Sequence, residues 1–543
     1  MWVDITLIRT KLHMEDKSHE KENKDFGQTV ADVWLFMILA MLPLYMKDGM
    51  KRIGDAKYTF YRNVSILFFA VTAIIFVASK LRRLSDRTKT FQESHRWSAV
   101  DICVLIFGVA SFISCFLSDY FSTAFWGYQD WYMGLVVQIL MIGGYFYISR
   151  SYKRENWVEA GILLSAFVVS LLGILNRFDM DPLNVFSEMN RFDWNRANLL
   201  STIGNINWYC GYLSVAVPLL AAAYWSWQGH WCGRVALVIG LFSGLTALLI
   251  QGSDSGFAAL LIMTLVLLFG SLRYRERRLR FLEILLMLPL TCLIMLIIKN
   301  AMGAGLFIPN GSRADDIVYS YVWIWVLILL LLCYMIFRFS QKRISDDGFW
   351  TKIMWFAGAA VFLSTIVFVI LFIACQMSDE IWKRFGEISL LRFEDEWGSG
   401  RGFLWRVTWQ SFWDGDILQK LFGMGPDCYA EHMYRHTSMD MQVFGEFQDA
   451  IFANAHNEYL TMLLNEGIIG AAAYIGVFLT AFVRFFRRAD ACPGLMAGAL
   501  AVAVYCVNSF FSFQQVVSTP LIFMVIGACE ASCRELPQKN EQD

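Results

Sequence analysis

Charge is what this sequence has least of. Asp, Glu, Lys and Arg make up only 17% of its 543 residues, where soluble domains run at about a quarter. The net charge of −1 points to no partner class. No basic stripe or RNA-type motif suggests nucleic acid. Paired cysteines are missing too. The 12 cysteines mostly fall inside apolar runs, as Cys103, Cys115, Cys292, Cys333 and Cys506 do, and none forms a CxxC pair. That excludes the usual zinc and disulfide frameworks. Cys428 reads as a lone cysteine in a polar loop. Residues 1–25 lack the apolar centre of a cleavable signal peptide, so residues 1–28 read as a cytoplasmic tail.

What fills the sequence instead is apolar. Hydrophobic residues reach 57% and the mean hydropathy is +0.46. Runs of about 20 apolar residues recur, long enough to cross a hydrocarbon core of about 30 Å. The fold class is therefore an all-α polytopic membrane protein. Apolar segments fall near 30–46, 62–79, 99–117, 133–149, 157–175, 206–227, 234–250, 256–272, 281–299, 317–337, 353–376, 457–483, 495–513 and 517–533. Counted strictly they predict about 14 helices, within a range of 12–14.

Four Lys/Arg-rich loops (80–96, 273–280, 338–352 and 484–488) then share one side, the cytoplasmic one by the positive-inside rule. Both termini lie there. Loop 47–62, with Lys47, Lys51, Arg52, Lys57 and Arg62, is basic yet falls on the other side. The expected organisation is a tail at 1–28, eleven helices within 30–376, a large extracytoplasmic loop at 377–455, three helices within 456–533, and a cytoplasmic tail at 534–543. The large loop is rich in Trp, Phe and Arg, which predicts a structured, partly helical cap on the outer face. Binding groups concentrate on loops held by a rigid scaffold, so function is sought there.

His456 stands at the junction of the cap and the helix that begins AHNEYL. A helix N-terminus carries unpaired N–H groups and partial positive charge. Both oppose protonation of an imidazole, and a neutral imidazole can accept a hydroxyl proton. The plainer reading is an interfacial histidine that caps the helix. Asn457 and Glu458 follow it directly. Glu466 lies about 15 Å further along the axis and reads as a structural, hydrogen-bonded acid beside Gly467 and Gly470. Arg401 and Arg406, in GSGRGFLWRVTW, are five residues apart and need not share a target. Arginine suits phosphate because its planar fork donates two parallel bonds. Arg177, Arg191 and Arg196 add cations to the same face. Asn205 and Asn207, in GNINW, read equally as sugar or phosphate ligands and as helix caps. The aromatics of FWGYQDWYMG fit an interfacial belt.

Three of these stretches together resemble the O-antigen ligase/polymerase family of bacterial membrane glycosyltransferases. They are GNINW (204–208), SGRGFLWRVTWQSFW followed by LFGMGPDCY, and AHNEYLTMLLNEGIIG (455–470), in that order. The resemblance implies an enzyme working outside the cytoplasmic membrane. It would transfer a glycan from undecaprenyl pyrophosphate to a hydroxyl of a glycan, lipid or protein acceptor, without cofactor or metal and with inversion. On this resemblance Arg401 binds phosphate and His456 is the base. Arg406, Arg191, Arg196, Asn205, Asn207, Asp254, Asn457 and Glu458 complete the expected substrate site. The sequence departs from the family at QGSDSGF (251–257), where relatives often carry Ser-Arg-Gly. Either Arg191 or Arg196 substitutes, or Asp254 binds the acceptor or pairs with an arginine. A transporter or flippase of a lipid-linked or anionic substrate is the competing class, although the two halves show no clear repeat.

Overall fold

The computed structural model describes residues 26–50, 52–85, 96–187, 194–272, 274–302, 313–340, 347–386, 388, 391–436 and 453–536. Arg191, His13, His19, His95, most of the 80–96 loop and both tails lie outside them. Among the described residues the chain is overwhelmingly helical, as a hydrocarbon solvent requires. Only a helix or a closed barrel satisfies every backbone group without water. The sole β pairing described is a two-residue hairpin, β1 (Leu199–Leu200) with β2 (Gly204–Asn205), antiparallel with Leu199 opposite Asn205.

The main helices are α1 (Phe26–Leu44), α2 (Ile53–Ser85), α3 (Ala99–Leu117), α4 (Leu135–Ser151), α5 (Asn156–Arg177), α6 (Ile206–Ser226), α7 (Trp231–Ile250), α8 (Ser255–Ser271), α9 (Arg275–Met302), α10 (Val322–Ser340) and α11 (Asp347–Met377). After these come α12 (Trp397–Asp414), α13 (Ile417–Phe422) and α14 (Tyr429–His436), then α15 (Glu458–Arg488), α16 (Leu495–Ser509) and α17 (Thr519–Glu535). Ten of the described helices are long and apolar enough to cross a membrane, and α4, α8 and α16 are shorter apolar helices packed among them. The protein is a multi-pass membrane protein.

Packing separates centre from edge. The apolar window of α6 is 78% buried, while those of α10 and α11 are 6% buried. α6 therefore sits in the protein's core and α10 and α11 present their apolar side chains outward. α15 packs along α3 and α16, α16 against α6 and α8, and α17 against α4. At the end away from the cap, Asp101 pairs with Arg534 (2.5 Å) and Arg484 with Glu530 (2.7 Å). These bonds tie α3, α15 and α17 together.

The second helix starts earlier than the apolar run suggests, at Ile53 rather than near 62. This removes Lys57 and Arg62 from the loop. Lys57 is fully buried, and its Nζ donates to the Leu42 and Pro43 carbonyls at 2.8 Å each. It closes the C-terminal end of α1 and is no solvent-facing loop charge. Cys428 is likewise fully buried, packed with Cys115, Tyr120, Ala124 and Leu135 instead of standing in a polar loop.

Candidate functional site

The described residues between α11 and α15 pack on the bundle through α12 and α13, which meet α15, and α13 also meets α3. Phe403, Leu404 and Phe412 of α12 pack with Tyr429 and Met433 of α14 in a small core that also takes in Leu464 of α15. This cap is keyed into the membrane helices at a break. α15 leaves helical geometry at Gly467, with φ 67° and ψ −172°. Carbonyls freed by a break need donors from protein, because lipid has none. Met424 N donates to Leu464 O (3.0 Å) and Gly425 N to Asn465 O (2.9 Å). Ser114 Oγ of α3 also donates to Asn465 O (2.9 Å). Approach is so close that a Cβ on Gly467 would lie 2.4 Å from the Leu421 carbonyl carbon. Glu466 fits the structural reading. It is fully buried and accepts from Ser111 Oγ and Gln138 Nε2, both at 2.6 Å.

Asp427 fixes a second junction. Its Oδ2 accepts from Tyr128 N (2.7 Å) and Met133 N (2.8 Å), gripping the FWGYQDWYMG loop at both ends. Burial pushes its carboxyl up to about 7. Sequence reasoning passed over this residue; the Gly-Pro-Asp turn was its only local signal.

His456 is held from both sides. Its backbone is left-handed, φ 47°, and its N–H donates to Asn454 Oδ1 (2.9 Å). On the other side Asn457 caps α15, its Oδ1 accepting from Tyr459 N and Leu460 N at 3.1 Å each. Asn457 is thus the cap, and His456 projects from the residue before it. The imidazole meets Phe513 edge-on at 5.3 Å. Its Nδ1 is buried with no hydrogen-bond partner among the described residues. Burial, and after it the Arg401 charge, lowers its pKa to about 4. His456 is a neutral imidazole at physiological pH.

Arg401 is the fifth residue of α12. One terminal nitrogen donates to Gly398 O (3.0 Å), and Nε is buried without a partner among the described residues. Burial lowers its pKa while the Asp254 charge opposes the shift. The cap helix, the helix junction at 456 and the turn before α8 thus meet around one region. Arg177 holds that turn. It is almost fully buried and donates to Ile250 O (2.8 Å), Gln251 O and Ala197 O (2.9 Å).

An aromatic chain joins the remaining motif. Trp208 of GNINW meets Trp131 at 6.5 Å, Trp131 meets Phe513 at 5.6 Å, and Phe513 meets His456. Phe513 was missed from the sequence, since it lies in an apolar connection that reads as helix.

Other expected residues are committed elsewhere. Arg406 pairs with Asp395 through two bonds of 2.9 and 2.5 Å at the surface. Arg196 bonds Asp179 (2.7 Å) and stacks over Phe186. Asn205 caps α6, its Oδ1 accepting from Asn207 N (2.8 Å), and the Asn207 side chain is half-buried. Glu458 is buried and accepts from the Tyr474 and Tyr505 hydroxyls. Arg191 lies outside the described residues. The groups that act on His456 are therefore Arg401 and Phe513, with Asp254 reaching Arg401 in turn.

No curated protein matches the chain. A family model described as O-antigen ligase matches residues 319–475, a span that includes Arg401, His456 and the break at Gly467. With its many membrane helices and this matched span, the chain bears out its resemblance to the O-antigen ligase family.

Proposed function

We propose that this protein is an extracytoplasmic glycosyltransferase that moves a glycan from undecaprenyl pyrophosphate to an acceptor hydroxyl. The observation that carries this reading is the placement of neutral His456 within the electrostatic reach of Arg401. In the proposed step the acceptor oxygen attacks the anomeric carbon from the face opposite the pyrophosphate. Its proton passes to His456. The carbon–oxygen bond to the carrier breaks, and the electron pair leaves with the pyrophosphate. Arg401 stabilises the charge that develops there, as preorganised donors do in a dry site. Inversion follows from in-line displacement. The cap side faces outward in this reading, both termini are cytoplasmic, and the shorter helices α4, α8, α16 and α17 also span, which gives fourteen. Arg196, Arg406, Asn207, Asp254 and Glu458 remain candidates for holding substrate, directly or through rearranged side chains.

The test is glycan transfer from a purified lipid-pyrophosphate donor in detergent. His456→Ala and Arg401→Ala, each shown to be folded, are expected to lose at least about a hundredfold in rate. Full transfer by His456→Ala would remove the base assignment. Absence of transfer by the wild type, with donor export in vesicles, would favour a flippase.

A further inference from the structure

A polar cavity, of about 300 Å³, opens on the cap between the end of α3 and the C-terminal half of α12. Its α12 lining lies about 9–20 Å from Arg401 along the helix, at 1.5 Å per residue. Asp119 and Tyr120 line one wall; Gln410, Ser411, Asp414 and His432 line the other. His432 and Ser411 share a hydrogen bond (2.9 Å). The Tyr120 hydroxyl is buried without a partner among the described residues, and its residue is only 6% exposed. Such a group is costly to leave unpaired, so it marks a place where a polar ligand is accepted.

The lining specifies the ligand's class. It carries amide, carboxylate, hydroxyl and imidazole groups but no lysine or arginine. A pyrophosphate is therefore not the match. Neutral vicinal hydroxyls are, since planar amides and carboxylates bridge them. Trp409 and Trp413 stand exposed on the same helix outside the lining, edge to face at 5.7 Å, with Lys420 over the Trp413 ring; the exposed Trp409 is an aromatic surface suited to the C–H faces of a sugar chain that runs beyond the cavity. The volume is at the small end of the ligand-pocket range of about 300–1,000 Å³.

We propose that this cavity is a saccharide subsite, distinct from the His456 centre, that holds glycan units away from the bond being made. The assignment rests on the transferase reading above. The sugar belongs either to the donor chain or to a glycan acceptor, and the same chemistry recognises both.

The experiment uses the full-length protein in detergent and two probes. One is the repeat-unit oligosaccharide of the cells' own surface polysaccharide, freed from its carrier by mild acid. The other is the sugar portion of the acceptor. Saturation-transfer NMR measures binding of each. Asp414→Ala and Gln410→Ala alter exposed side chains that the fold does not need. They are expected to weaken one probe about tenfold or more and to raise the transfer KM for the matching substrate while kcat holds. The affected probe identifies donor or acceptor. His456→Ala should bind both probes normally while losing transfer. No binding of either probe by the wild type, or equal binding by the two cap variants, would overturn the subsite even if transfer proceeds. Wild-type binding without transfer would instead overturn the transferase reading and leave a saccharide-binding cavity.

Discussion

Arg401 of the cap lies near enough to His456 at the mouth of α15 for its charge to add to burial in holding the imidazole's proton affinity down. A cation beside an imidazole disfavours only the protonated ring, so the neutral base and the charged guanidinium coexist. The proposed transferase uses the two together, Arg401 for the phosphate and His456 for the hydroxyl.

The first prediction concerns pH. If neutral His456 is the working base, kcat/KM should stay level from neutral pH downward and fall only through about 4. An unperturbed histidine would lose activity near 6.5. The folded value is the lower one, so the same histidine also takes stability from the fold as pH drops from about 6.5 toward 4. The profile should be read alongside a folding probe. An acid limb near 6.5 in folded protein would contradict the assignment.

Arg401 is the second cause of that shift, after burial. In Arg401→Gln the His456 pKa should rise, a change readable by NMR titration of the ring even where transfer is lost. An unchanged ring titration would place Arg401 too far away to share a phosphate with it.

The break in α15 should be intolerant of side chains. Gly467→Ala puts a Cβ into the Leu421 backbone at a positive φ, and the backbone conformation alone costs on the order of 1–3 kcal/mol. Thermal unfolding in detergent should shift down sharply. Ala at Gly470, where the nearest obstacle is the Glu466 side chain, should be milder.

Asp427 grips two backbone N–H groups. Asp427→Ala orphans both, at roughly 1–3 kcal/mol for each buried group, and should loosen the 127–133 loop. Asp427→Asn keeps an acceptor and should stay near wild type. Because burial raises the carboxyl to about 7, the folded state holds a proton that the unfolded state releases from about pH 4. Its contribution therefore weakens as pH rises from about 4 through 7. Limited proteolysis of the loop at pH 6 and pH 8 should show more cutting at the higher pH, and the Asn variant should show no difference.

Lys57 offers a separate check on the scaffold. Lys57→Met removes the ammonium donor from the Leu42 and Pro43 carbonyls, leaving Leu42 O with Tyr45 N and Pro43 O with Thr202 Oγ1, and should reduce folded yield. A freely tolerated substitution would mean that Lys57 reaches water after all.

By itself the sequence determined the membrane class, because apolar runs of spanning length admit little besides helices. It also determined the identity of the motif residues Arg401 and His456, and the structural character of Glu466 beside two glycines. Only the tertiary structure decided which polar groups stay available. Asn205 and Asn457 are spent on caps, Arg177 on carbonyls of a turn, and Arg196 and Arg406 on carboxylates, through partners up to 74 residues distant. It likewise turned Lys57 inward and brought Phe513 and Asp254 to His456 and Arg401. Hydropathy reports whether a segment prefers lipid; it carries no record of which side chains meet once the helices pack.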